Sequence, residues 1–326
     1  MQNCPHPADA CENAFDASDY ISGETFQIAS CRQCGQVVTV PVPEDVGRYY
    51  PIGYYGQVGE RRFPPLIEWV QARLYQSRAR RALSLAARKN PRVLDVGCGR
   101  GLLLKAFQQQ GCEVMGTEFS DDACRFAREK LKLTVRVGAL HELNFPAASF
   151  DVVVMWHVLE HVSDPRPTVA EVSRILRPGG VFLVGVPNFG SPEARLTKAG
   201  WFHLDVPRHL SHHTPASLEA VLNAAGLQPR WRSFLAPEYD TFSFVQSLLN
   251  WLGVRQNLLY NWLRGHGAKV MPDGASLGSL LTTLLLAPLL GLLSLPATLI
   301  LALAGQGSAL TIGAVKAPSD GDGKLP

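Results

Sequence analysis

Asp95, Gly97, Gly99 and Gly101 form a D-x-G-x-G-x-G run between the apolar Val93-Leu94 and Leu102-Leu103-Leu104. A strand that turns on glycines into a helix brings backbone N–H groups close to a ligand, because no Cβ stands in the way. A dinucleotide fingerprint G-x-G-x-x-G would need glycine at position 102, which is Leu102. Glu118 closes the next apolar run, at the spacing where a carboxylate accepts hydrogen bonds from ribose hydroxyls. His157, Glu160 and His161 follow at i, i+3 and i+4, one side of a helical turn. A second cluster holds His203, Asp205, Arg208, His209, His212 and His213. Either His157 or His209 could serve as a general base near neutral pH. Alternatively His157, Glu160, His161 and a histidine of the second cluster bind a divalent metal that acidifies an acceptor. In a third reading the Glu-His pair only packs a helix on a sheet. Near the N-terminus, Cys31-x-x-Cys34-Gly35 can place two thiolates on one tetrahedral zinc, with Cys4 and Cys11 as further ligands or His6 replacing either. The Cys4–Cys11 spacing is wider than usual, so a zinc site and a metal-free remnant both stay open.

Those groups need strands and helices to hold them. Apolar runs at 93–96, 112–118, 135–138, 149–157, 181–188, 227–234 and 309–316 read as strands, with helical stretches between them. Strands alternating with helices predict an α/β sheet, whose ligands bind at the carboxyl ends of the strands. The glycine run, Glu118, FDVVVMWHVLEHV, LRPGG and a strand ending in Pro187-Asn188 occur in one order. Together they resemble class I S-adenosylmethionine-dependent methyltransferases, and in particular the ubiquinone-pathway O-methyltransferase group. The resemblance covers roughly residues 90–235 and a last strand near 309–316. It implies a seven-stranded Rossmann-like methyltransferase sheet with helices on both faces, and S-adenosylmethionine as cofactor. By the same resemblance Asp95 and the Gly97–Gly101 loop meet the methionine end, while Glu118 and Phe119 hold the ribose and flank the adenine. Ala139 and Leu140 line the adenine edge. Relatives often carry an acid there, and its absence here implies a backbone contact. Trp156 and His157 end the fourth strand, beside the methyl group. Such relatives often begin with a small zinc-ribbon-like module.

The chain divides into four parts. Residues 1–60 are the zinc-ribbon-like module and a tyrosine-rich segment (Tyr49, Tyr50, Tyr54, Tyr55), which is either a lid or a packed linker. Residues 61–236 are the cofactor-binding core, entered through an arginine-rich helix over 64–88. Residues 237–307 are a hydrophobic helical insertion, and 308–326 the last strand and a tail. A net charge of +3 and the lack of a basic run interleaved with aromatics argue against nucleic acid as partner. The polar N-terminus predicts no secretory signal, and seven cysteines, an odd number, predict a reducing, cytoplasmic compartment. Residues 274–315 contain no charge, and Trp251, Tyr260 and Trp262 precede them as interfacial aromatics would. Since the strands on either side must pair, the insertion has to return. Pro288 and Pro296 are expected to break it into an in-plane or re-entrant hairpin. The function expected is O-methylation of a small or lipid-linked acceptor at the cytoplasmic membrane surface. The alternatives are C- or N-methylation of a soluble molecule, with the insertion used for dimerisation, or a non-catalytic scaffold. Oligomeric state is open.

Overall fold

The computed structural model describes residues 11–50, 65–86, 88–263 and 276–317, so Cys4, His6, Tyr54 and Tyr55 lie outside the described residues. Three antiparallel strands come first: β1 (Cys11–Ser18), β2 (Thr25–Cys31) and β3 (Val37–Val40). Helix α1 (Pro65–Ala86) leads into β4 (Arg92–Val96), α2 (Leu102–Gln108), β5 (Glu113–Glu118), α3 (Asp121–Glu129) and β6 (Val135–Val137). Then come β7 (Phe150–Trp156), α4 (Pro165–Ile175) and β8 (Leu176–Pro187). An excursion through α5 (Pro192–Thr197) and the short β9 (Ser211–His212) precedes α6 (Pro215–Ala224) and β10 (Leu227–Ser233). The chain finishes with α7 (Pro237–Trp251), α8 (Leu258–Leu263), α9 (Leu277–Leu303) and β11 (Ala309–Lys316).

The main sheet has seven strands in the order β10-β11-β8-β7-β4-β5-β6. Only β11 runs antiparallel to its neighbours. Alternation along each strand sends side chains to opposite faces. Leu94, Val153, Phe182, Val184 and Ile312 pack with α4 and α6 on one face, and Val93, Val152, Val154 and Leu183 with α1 and α2 on the other. Because both faces are covered, the central strands read as continuous apolar runs. The order reverses between β4 and β7, which opens a crevice above their carboxyl ends.

The N-terminal strands do not stand apart. β3 pairs with β9, which gives a second, four-stranded sheet β1-β2-β3-β9. Ala17, Phe26, Ile28 and Tyr49 share a core with Trp201, Leu204 and Val206 of the excursion.

The insertion departs from expectation. The prolines do not divide it: α9 is one helix of 27 residues that runs through Pro288 and Pro296. Each proline removes one i→i−4 hydrogen bond, a loss that a long helix packed along a neighbour can absorb. The chain returns instead by pairing α7 with α9, with Val245, Leu249 and Leu258 against Leu286, Ala287 and Leu290. Helix α7 is also tied into the core, since Asp240 accepts from Ala236 N and from Ser308 Oγ at 2.9 Å.

Candidate active site

The glycine turn sits over the crevice. Gly99 has φ +52° and open space where a Cβ would project, whereas a Cβ on Gly97 would come within 2.6 Å of Val158. Gly101 serves packing instead, since Leu133 and Ala127 are its close neighbours and its missing side chain lets α2 and α3 approach. The Glu118 carboxylate accepts from Gly99 N at 2.8 Å, Phe119 N at 2.7 Å and Ser120 N at 3.0 Å. Three backbone donors thus fix its orientation at the end of β5. Asp95 is buried at the end of β4, and its pKa is pushed up to about 8, first by burial and then by the charge of Glu118. Phe119 is 70% exposed beside the crevice. Leu140 turns its side chain into the core, while Ala139 N donates to Glu142 at 3.0 Å.

This set fits S-adenosylmethionine. The cofactor's α-ammonium and sulfonium charges match a buried carboxylate short of positive charge, its ribose matches Glu118, and an exposed aromatic ring is available to its base. A cation beside Asp95 favours the carboxylate, so binding at neutral pH must release a proton. Affinity should rise by up to about tenfold per unit between about pH 6 and 8, then level off. In the free protein the sign is opposite: folded Asp95 holds its proton above the unfolded pKa of about 3.9, so its contribution to stability falls as pH rises toward 8. Calorimetry in buffers of different ionisation enthalpy reads the proton directly, and zero release at pH 7 would refute the linkage.

The acceptor side is built at the end of β7. His157 takes φ +54°, and its N–H donates to Gly185 O at 2.9 Å. Its Nδ1 lies 3.0 Å from Glu160 Oε1, and its Nε2 is buried with no hydrogen-bond partner among the described residues. Burial alone would raise the Glu160 pKa, but the hydrogen bond and charge of His157, with His209 and His161, hold it at about 2. A buried carboxylate on one ring nitrogen and an unpartnered second nitrogen describe an oriented base. Tyr239, from the first turn of α7, lies 4.4 Å from the His157 ring, and His203 stacks at 6.4 Å. Burial first, then His157 and His209, depress the His203 pKa to about 3, so that ring is neutral.

His209 stands behind this pair. Its ring is edge-on to His161 at 4.8 Å, and its Nδ1 is 2.7 Å from His203 O. His161 Nδ1 is 2.9 Å from Arg208 O. A carbonyl can only accept, so both Nδ1 atoms carry hydrogen, and Nε2 is the atom of each ring left for a ligand. Glu160, His161 and His209 each bring one ligand atom to within 4.8 Å of the others, and Glu160 Oε2 has no hydrogen-bond partner among the described residues. His212 and His213 are engaged locally, with Thr39 at 2.9 Å and Ser211 at 3.2 Å. Trp156 does not face the crevice with its ring. The indole turns to the α1 side, under the Arg78 guanidinium at 3.9 Å, because inward and outward positions alternate along β7. Tyr239 carried no signal in the sequence beyond a helix start after Pro237.

At the N-terminus the β1–β2 register sets Cys11 opposite Cys31, and Cys34 follows in the turn closed by Gly35 N to Cys31 O. The pairing therefore brings Cys11 to the knuckle despite its sequence distance. Cys4, the fourth candidate ligand, lies outside the described residues.

A methyltransferase-domain family profile matches residues 66–230. A probable S-adenosylmethionine-dependent methyltransferase of Mycolicibacterium smegmatis is 34% identical over 177 residues, 52% of this chain and 64% of that protein. The match thus spans less than two thirds of that relative. A ubiquinone biosynthesis O-methyltransferase of Bordetella avium is 31% identical over 209 residues, 58% of this chain and 81% of that one. Among solved structures, the [4+2]-cyclase SpnF superposes with a TM-score of 0.50 at 17% identity, covering 81% of this chain and 87% of that one. That likeness concerns the fold alone.

Proposed function

This chain belongs to the methyltransferase-domain family, and on that premise we propose that it methylates a hydroxyl of a small or lipid-linked acceptor at a membrane surface. The His157–Glu160 pair carries the reading. Bound S-adenosylmethionine supplies an activated methyl group, so the chain itself must align the acceptor and remove its proton. An oxygen acceptor must lose a proton during transfer. His157 Nε2 is the free nitrogen that can take it, with Glu160 stabilising the imidazolium. Labelled cofactor offered to fractionated bacterial lipid and to soluble extract tests this. Label in an ether-linked methyl of the organic fraction is the expected result, and label in soluble amines alone would overturn it.

Helix α9 supports the membrane part. Its buried residues are polar (Thr283, Ser294 and Thr298), and its exposed face is leucine, with Leu285 at 74%, Leu292 at 76% and Leu303 at 81% exposure. The hydroxyls bond back to the helix's own carbonyls at 2.8 Å. A soluble helix has the reverse arrangement, whereas a lipid-facing one turns small polar residues to its neighbour. By length and composition α9 could cross a bilayer. Two features support an in-plane placement over a crossing: its partner α7 carries the buried polar residues Asp240 and Gln246, and the chain leaves β10 and enters β11 at the same end of that antiparallel pair. Full-length protein should float with anionic vesicles and resist high salt. Replacing Leu285, Leu292, Leu299 and Leu303 by Gln should release it with cofactor binding intact. Wild-type protein that is monodisperse without detergent and ignores vesicles would assign the leucine face to a second copy.

A second reading rests on the clustering of Glu160, His161 and His209. Glu160, His161 and His209 would hold a divalent ion that lowers the acceptor's pKa. His161→Ala would then abolish binding of magnesium or zinc measured by calorimetry in the absence of acceptor. For the N-terminal knuckle we propose structural zinc on Cys31, Cys34, Cys11 and Cys4. Protein purified without chelators should contain about one equivalent, and Cys34→Ser should lose it. Metal analysis that finds none would leave the remnant reading.

A further inference from the structure

The His157–Glu160 pair is not supported by the main sheet alone. Segment 208–212 runs as a middle strand between two partners. On one side Leu210 N donates to Glu160 O at 2.7 Å, Ser211 Oγ to Leu159 O at 3.2 Å, and His161 Nδ1 to Arg208 O at 2.9 Å. On the other side lies β3 of the N-terminal sheet. Thr39 N donates to Leu210 O at 3.0 Å, Thr39 Oγ1 donates to His209 O at 2.8 Å and lies 2.9 Å from His212 Nε2, and Val37 and Val38 pair with His212 and Ser211. Thr39 has no exposed surface. The segment is anchored by Arg208, which is fully buried and bonds Asp19 at 2.8 Å, Asp205 at 2.7 Å and Tyr49 O at 2.9 Å. Asp19 follows β1, so two separate points of the N-terminal sheet grip the same five residues.

We propose that the N-terminal sheet is a positioning element of the active site, with Thr39 and the Asp19–Arg208 pair setting the backbone of 208–210 and, through it, the turn that carries Glu160. The physical reason is the division of support on that turn: Leu159 packs in the main core, while the turn's polar groups are held by segment 208–212. Residues 159–161 form a single 3-10 turn; the carbonyls of Leu159 and Glu160 accept from segment 210–211, and His161 Nδ1 lies near Arg208 O and, at 3.2 Å, Tyr50 Oη. A short turn has little stiffness of its own. The carboxylate that orients His157 is therefore as well placed as the strand behind it, and an oriented base loses efficiency with small displacements. Thr39 touches neither cofactor nor reacting atoms and acts only through 208–212.

The inference rests on the His157–Glu160 reading, and its test separates the two. In full-length protein labelled with 15N-histidine, the His157 Nδ1–H held by Glu160 should give a protected proton resonance, identified by its loss in His157→Gln. Thr39→Val keeps shape and the backbone bond to Leu210 but removes the hydroxyl. It should speed exchange of that proton by about tenfold or more, with cofactor affinity close to wild type and the fold retained at a lowered melting temperature, since His209 O and His212 Nε2 lose a buried partner. Thr39→Ser should restore slow exchange, an outcome that a merely bulk-filling role for Thr39 does not produce. Exchange unchanged in both Thr39→Val and Thr39→Ala would overturn the positioning role while leaving the base in place. Absence of the protected proton from wild-type protein would overturn the His157–Glu160 pair itself, and the inference with it.

Discussion

Gly99→Val should abolish measurable S-adenosylmethionine binding while the protein keeps its fold. Nothing lies within 4 Å of a Cβ at position 99 beyond its chain neighbours, so the new side chain enters the space left for the ligand. A β-branched residue also resists the φ of +52° found there, which pulls the loop from the geometry that presents its N–H groups. Gly101→Val is the informative contrast. Its Cβ would lie 2.7 Å from Leu133, and the damage should appear as lost thermal stability. Asp95→Ala should weaken binding by about 30-fold or more, the cost of removing a buried charge partner from a cationic ligand. Its residual affinity should no longer change between pH 6 and 8, because the proton released on binding comes from this carboxyl. Titration calorimetry together with circular dichroism measures each case. Wild-type affinity in a folded Gly99→Val protein would remove the site from this loop.

The second large effect is on turnover. His157→Ala should lower kcat by about 10²- to 10⁴-fold with cofactor affinity within about twofold of wild type, because His157 acts on the acceptor's proton. Glu160→Gln keeps shape and a hydrogen-bonding group but removes the charge that stabilises the imidazolium. It should cost about 10²-fold. His209→Ala then separates the two readings of the histidine cluster. Under the base reading its effect is small, since its Nδ1 is engaged with His203 O and its ring lies behind His161. Under the metal reading its loss matches that of His161→Ala and is relieved by excess divalent ion. Full activity in His157→Ala would refute the base assignment.

Much of the core was legible along the chain because its signals are local. A buried parallel strand must be apolar over several consecutive residues, and Val93–Val96 and Phe150–Trp156 show that without a partner in view. The glycine turn and Glu118 were equally readable, since a φ above zero and the carboxylate at a strand end follow from adjacent residues. Less was readable where distant segments meet. Helix α9 illustrates this: two prolines argue locally for a broken hairpin, yet packing along α7 keeps one helix. Trp156 ends the right strand, but its ring faces α1, and the inward or outward choice depends on sheet register.

What the sequence by itself determined is the kind of site: a nucleotide-like cofactor loop, an acid at the end of β5, a histidine–glutamate turn after β7, and an insertion whose stretch from residue 274 is apolar and free of charge. These depend on backbone conformation and side-chain chemistry within a few residues, which composition and spacing express directly. The tertiary structure alone decided how those groups work together. It set His157 on Glu160 with a free Nε2, put His209 behind His161, and turned the polar residues of α9 inward. It also made β3, more than a hundred residues away, the support of segment 208–212 through Thr39. Such pairings form because buried donors and acceptors must all find partners, and which partners meet is set by the closed packing of the whole chain.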